Sequence, residues 1–220
     1  MRAGPAAAFD RLYTRQAASL TRQAFLLCGH RRLAERAVVY AFHRAWERWP
    51  EVAVDPDPAG WVRAAAHDYA LSPWHQLVPG RRGGEPRAVP PEDRGLLEAL
   101  LSLPRCYRRS LVLHDGVGLR LPETAAETEA TTRAAALRIL HARTCLAARL
   151  PGLAETAPRD RGALLTGLLR DFAAGHPAKT CSPAALRASG ERRTRRWTWA
   201  AYALVATAVS TITAVAVLTG

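Results

Sequence analysis

One lysine, Lys179, and no asparagine occur in 220 residues, so the positive charge of this chain is carried almost entirely by arginine. Lys+Arg number 31 against 19 Asp+Glu, a formal net charge of +12. Such a balance favours polyanions, nucleic acid or anionic lipid among them. A GC-rich codon bias accounts for part of the arginine excess and tempers that reading. Cysteine is also sparse: Cys28, Cys106, Cys145 and Cys181 form no CxxC pair. His141 and Cys145 lie one helical turn apart, but two further ligands at sensible spacing are missing, so the expectation is no metal site and reduced, largely buried thiols. HExxH, a nucleophile elbow and a phosphate loop are absent, and GRRGG at 80–84 has neither a strand before it nor Gly-Lys-Ser/Thr after it. His67-Asp68 and His114-Asp115 are neighbours on helices, about 100° apart, and build no relay. These absences leave an enzyme unsupported and imply no cofactor. MRAGPAAAFDRLY lacks the apolar core of a signal peptide, which places the body of the protein inside the cell.

What is present is helical periodicity. Phe9, Leu12, Tyr13, Leu20, Ala24 and Leu27 predict a first helix ended by Gly29-His30. The most regular stripe follows: Ala34, Ala37, Val38, Ala41, Phe42, Ala45, Trp46 and Trp49, with Arg36, His43, Arg44, Glu47 and Arg48 on the other side. Val39 and Tyr40 fall off the stripe and offer an apolar pair to a partner. Asp55-Pro56-Asp57-Pro58 predicts a turn that caps a helix from Trp61 to about Leu71, with Trp61, Ala65 and Tyr69 inward and Pro73 as its end or kink. Trp74 is expected to fold back on its own core rather than to stack on bases. Residues 76–94, rich in Pro, Gly and Arg, read as a flexible linker.

The stretch Leu103 to Arg143 reads as helix, Gly-containing loop, short helix, tight turn and longer helix, the order of a helix-turn-helix unit. Pro104 opens it, Gly116 and Gly118 stop the first helix, and Leu121 to Thr128 supplies two turns. Thr131 is the expected N-cap of a last helix that runs through Ala135, Leu137, Ile139 and Leu140 to about Leu150. Beyond it, Leu164, Leu165, Leu168, Leu169 and Phe172 make an apolar helix face open to three uses: packing on the second unit, a membrane, or a partner. The uncharged run from Trp197 to Thr219 follows Arg187, Arg192, Arg193, Arg195 and Arg196. At about 1.5 Å per residue it is long enough for a bilayer core of about 30 Å. It predicts a single membrane anchor with the arginine flank, and hence the N-terminus, on the cytoplasmic side.

Over about residues 9 to 150 the chain resembles the extracytoplasmic-function sigma factors of bacterial RNA polymerase. LAERAVVYAFHRAWERW with PAGWVRAAAHDYAL is similar to the family's promoter-melting and core-binding region. LPRCYRRSLVLHDGVGL with LPETAAETEATTRAAALRILHAR is similar to its C-terminal helix-turn-helix region. The resemblance implies an all-α protein: a first helical domain over 1–75, a flexible linker over 76–94 and a helix-turn-helix domain over 95–150. A linker with an amphipathic helix and basic flank (151–196) and a transmembrane helix (197–219) complete the layout. It implies RNA polymerase core and promoter DNA as partners, with an anti-sigma or other regulatory protein beside them. By position, Glu35, Val38, Val39, Phe42 and Trp46 fall to polymerase binding, with Trp61 as the supporting aromatic. Arg120, Thr131, Thr132, Arg133 and Arg138 fall to DNA binding.

Several residues depart from the family pattern. Arg36, Val39 and Tyr40 stand where the docking helix commonly has an acidic residue and Gln-Glu, and Ser72-Pro73 interrupts the helix that leads to the melted strand. Glu129 occupies a turn position usually given to Gly, Thr124 and Thr128 replace aliphatic residues, and Ala134 to Ala136 leave the recognition helix short of base-reading groups. Two functions follow: a membrane-tethered sigma-like initiation protein, or a membrane-anchored protein-binding module that keeps the fold without reading promoters.

Overall fold

The computed structural model describes residues 4–76, 89–176 and 178–192. Residues 77–88 of the expected linker and the whole expected span 197–219 lie outside the described residues. The architecture is all-helical, with no strand among the described residues, and none of the helices described is long and apolar enough to cross a membrane. The chain divides into two compact units, Met1–Thr180 and Cys181–Gly220.

The first unit opens with α1 (Pro5–Cys28), which ends where Gly29 takes φ 71° and its N–H donates to the Phe25 carbonyl at 2.7 Å. Gly is required there: the backbone is left-handed, and a Cβ would lie 2.5 Å from Leu101 Cδ1. Helices α2 (Arg31–Glu47) and α4 (Pro58–Leu71) pack on α1 and on each other, with a one-turn α3 (Trp49–Val52) between them. The stripe predicted on α2 is buried, with Trp46 half-buried at its end. Phe9 of α1 meets Phe42, Trp46 and Trp49 edge-on at centroid distances of 5.9, 5.0 and 5.3 Å, closing that end of the bundle.

On α4 the buried face is rotated from the expected one. Gly60, Val62, Arg63, Ala66, His67 and Ala70 are buried, while Trp61, Ala65 and Tyr69 are half-buried. The reason is that Arg63 and His67 have partners inside, so their polarity does not drive them to the surface. After Ser72, α5 (Pro73–Gln76) carries Trp74 at 76% exposure, so this ring does not fold back on the core.

Helices α6 (Pro91–Ser102) and α7 (Arg105–Leu111) resume the chain. A π-helical turn, Val112–Val117, ends at Gly118 with φ 86°. Then come α8 (Leu121–Glu127), α9 (Thr132–Ala147), α10 (Pro151–Ala154) and α11 (Arg161–Gly175). α11 packs on the π turn and buries Leu165, Leu169 and Phe172, which settles the three-way choice for this helix in favour of packing. Phe172 stacks on Phe25 of α1 at 5.8 Å.

One hydrophobic core runs through both halves of this unit. Ala24 to Cys28, Leu33, Ala34, Ala37 and Ala70 share it with Leu96, Leu97, Leu100, Leu103, Leu111, Ile139, Leu146 and Phe172. Apolar surface buried between the halves favours keeping them together, at about 25 cal/mol per Å². Polar contacts cross the same seam. Buried Arg108 donates to the Leu27 carbonyl at the end of α1 (2.6 Å) and to the Leu103 carbonyl (3.2 Å), while Arg109 pairs with Asp68 at 2.6 Å. In the second unit the described helix, α12 (183–192), begins at Ser182, whose Oγ accepts from the Ala185 amide at 3.2 Å.

Candidate protein and nucleic-acid interface

The stretch Leu103 to Arg143 forms α7, the π turn, α8 and α9 in that order, with local strain between the last two. Arg120 precedes α8, and its amide donates to Glu123 Oε2 at 2.9 Å, which holds the first turn. The Arg120 guanidinium also donates to Glu123 Oε1 from Nε at 2.8 Å and Nη2 at 2.5 Å. The hydrogen bond to Arg120 holds the Glu123 carboxyl below its usual range. Arg120 is therefore exposed but engaged, and a phosphate must displace a carboxylate to use it.

Between α8 and α9, Glu129 takes φ 48°, the left-handed backbone that L-residues disfavour. Its strain marks the turn where the family pattern has glycine. Thr124, behind the turn, is fully buried, and its Oγ1 has no hydrogen-bond partner among the described residues. Thr128 solves the same problem by donating to the Thr124 carbonyl at 2.7 Å. Thr131 caps α9: its Oγ1 accepts from the Ala134 amide at 3.1 Å. Thr131, Thr132 and Arg133 are exposed at this helix start, and Arg138 is half-buried off the exposed stripe.

The outward face of α9 is more apolar than the sequence suggests. Ala135, Ile139, Ala142 and Leu146 form the buried stripe. Leu137 and Leu140, which the sequence places along this helix, are 58% and 57% exposed. They share a side with Arg133, His141 and Thr144, all exposed as well. At 3.6 residues per turn, 133, 137, 140 and 144 line one face. A wheel phased on Ala142 and Leu146 finds this; counting leucines as core does not. On the same helix His141 Nε2 lies 3.4 Å from Cys145 Sγ, and no group of three candidate metal ligands exists among the described residues.

The residues assigned to polymerase binding divide by depth. Val38 and Phe42 are core residues, at 2% and 0% exposure, and pack inside the bundle rather than presenting to a partner. Glu35, Val39 and Trp46 are half-buried. Tyr40 is half-buried too: its ring lies 4.8 Å from Tyr69, and its hydroxyl accepts from Arg44 at 3.3 Å. The surface of α2 beside them is Arg36, Arg44 and Glu47. The two sets of assigned residues sit on separate helices of the same unit.

The two His-Asp pairs have structural partners. His67 Nε2 is 3.1 Å from Gln23 Oε1. Full burial, reinforced by the charges of Arg109 and Arg63, pushes its pKa down to about 3, so this imidazole is neutral at physiological pH. Asp115, at 3% exposure, receives Arg143 in a two-pronged contact of 2.9 and 2.5 Å, and His114 Nδ1 faces the Leu119 carbonyl at 2.8 Å. His67 thus joins α4 to α1, and Asp115 joins the π turn to α9.

Compared with protein-family models, curated proteins and solved structures, the chain matches none.

Proposed function

We propose that this chain is a sigma-factor-like helical protein that acts as a protein-binding module, tethered to a membrane by residues 197–219, with promoter reading reduced or absent. The observation that carries this reading is the shared core of the two helical groups. In the family it resembles, the two groups address two separate promoter elements, and reaching both requires them to part. Here Leu27, Leu97, Leu111, Ile139 and Phe172 belong to one buried cluster, and parting them exposes it to water. The exposed Leu137 and Leu140, on the helix that would enter a major groove, support the same reading, because apolar side chains there contribute little against phosphates and base edges.

Promoter reading remains a second reading on one specific observation: Thr131, Thr132 and Arg133 are exposed at the N-terminus of α9, where hydroxyl and guanidinium groups reach phosphates. Full-length protein in detergent, incubated with RNA polymerase core and with duplex promoter DNA, separates the two. The module reading expects partner capture that survives Arg133→Ala and is lost in Leu137→Glu. Promoter-specific transcription that depends on Arg133 would overturn it.

A further inference from the structure

A cleft formed by the C-terminal half of α1, the start of α2 and the residues that follow α11 shares only Glu35 with the roles above. Its volume is about 250 Å³, and Arg22, Arg31, Arg32 and Lys179 line it, with Glu35 as its one carboxylate. Four cations against one anion leave it strongly positive. No side chain caps the N-terminus of α2, so the positive end of that helix adds to the field.

The walls are fixed rather than loose. Phe25 lies 4% exposed behind the cleft, 5.8 Å from the Phe172 ring and 5.8 Å from the Arg31 guanidinium carbon. His176 stacks on Phe172 at 4.2 Å and is 95% buried, being 5% exposed. Its Nδ1 lies 2.8 Å from the Phe172 carbonyl and so carries the donated proton, with Asp93 Oδ2 at 3.7 Å. Its Nε2 is buried and has no hydrogen-bond partner among the described residues. That nitrogen stays inside the wall, and the charged face of the cleft is supplied by Arg22, Arg31, Arg32 and Lys179.

We propose that this cleft binds the phosphoryl group of a small phosphorylated molecule. The arginines and Lys179 meet its charged oxygens through charge-assisted hydrogen bonds. A phosphoryl group with a few further atoms fits this volume, whereas a continuing nucleic-acid strand does not. Bound there, the ligand joins α1 and α2 to the segment around Lys179. The proposal does not depend on polymerase or promoter binding.

Calorimetric titration of the full-length chain in detergent with inorganic phosphate, a sugar phosphate and a short DNA duplex tests it. The expected result is saturable binding of the phosphate monoester or of phosphate itself. Arg32→Ala and Lys179→Ala each weaken it on the order of tenfold, while Arg149→Ala, exposed and outside the cleft, leaves it unchanged. Both cleft substitutions are at exposed positions, and matching thermal melts show that the fold is intact. The absence of saturable binding would overturn the proposal, as would equal weakening by Arg149→Ala. Displacement of the phosphate monoester by the duplex, sensitive to the same two substitutions, would overturn it in favour of a nucleic-acid backbone.

Discussion

Arg63 and Glu127, 64 residues apart in the chain, meet in a two-pronged contact at the seam between α4 and α8: Nε lies 2.9 Å from Oε1 and 3.0 Å from Oε2, and Nη2 closes on Oε1. The two side chains are 8% and 15% exposed. Burial alone would lower the pKa of Arg63, but the hydrogen bond and charge of Glu127 outweigh it and raise the pKa. Asp57, which caps α4 through the Gly60 amide, adds a weaker contact at 3.5 Å.

Breaking this pair leaves one charge buried without its partner. Glu127→Ala is expected to cost about 3 kcal/mol, and the pair Arg63→Met with Glu127→Leu is expected to restore most of that. Urea midpoints for the single and double variants check it. A single variant within about 0.5 kcal/mol of the parent would mean that the seam does not contribute to stability.

His67 predicts a pH dependence. Its folded pKa, about 3, lies below the unfolded value of 6.5. Between those values the unfolded chain holds a proton that the folded one refuses. The stabilising effect is therefore complete above 6.5 and is lost as pH falls toward 3, with about 2 kcal/mol gone by about pH 5. His67→Gln keeps a donor for Gln23 and removes the titration, so denaturation measured at neutral pH and at about pH 5 should show a smaller difference in the variant. An equal pH slope in both proteins would refute the assignment.

Glu129 holds φ 48° on the surface, so Glu129→Gly relieves backbone strain without opening a cavity. The left-handed conformation costs an L-residue about 1 to 2 kcal/mol, and glycine's extra unfolded-state entropy takes back part of the gain. A net stabilisation of about 1 kcal/mol, read as a higher melting temperature, is expected. A lower one would mean that the Glu129 side chain supports the turn.

Leu137→Glu and Leu140→Glu replace residues that are more than half exposed, and stability should change by no more than about 0.5 kcal/mol. Partner capture should fall in both. Immobilised full-length variants titrated with RNA polymerase core give the comparison, and undiminished binding would move the docking face away from α9.

The sequence was legible where a single helix decides the outcome. The α2 stripe from Ala34 to Phe42, the N-cap at Thr131, the stop at Gly29 and the all-α class depend on spacing and local backbone chemistry, and they read directly. Legibility ended where one helix meets another. Arg63, Arg108 and Asp115 look like surface charges in the sequence and are buried, because their partners, Glu127, the Leu27 carbonyl and Arg143, come from distant parts of the chain. Which apolar residues of α9 face inward was not legible: Leu137 and Leu140 are exposed, because Ala135, Ile139, Ala142 and Leu146 fill the side of α9 that faces α7.

By itself, then, the sequence determined the helices, their caps and breaks, and the strongly basic balance, all of which are set within a few residues or by composition. Only the tertiary structure decided that the two helical groups share a core, that α11 seals it, and that His176 lines one cleft with Arg31 and Arg32. Those outcomes rest on apolar surface buried between elements and on charges satisfied at long range, and neither quantity exists until the chain has folded.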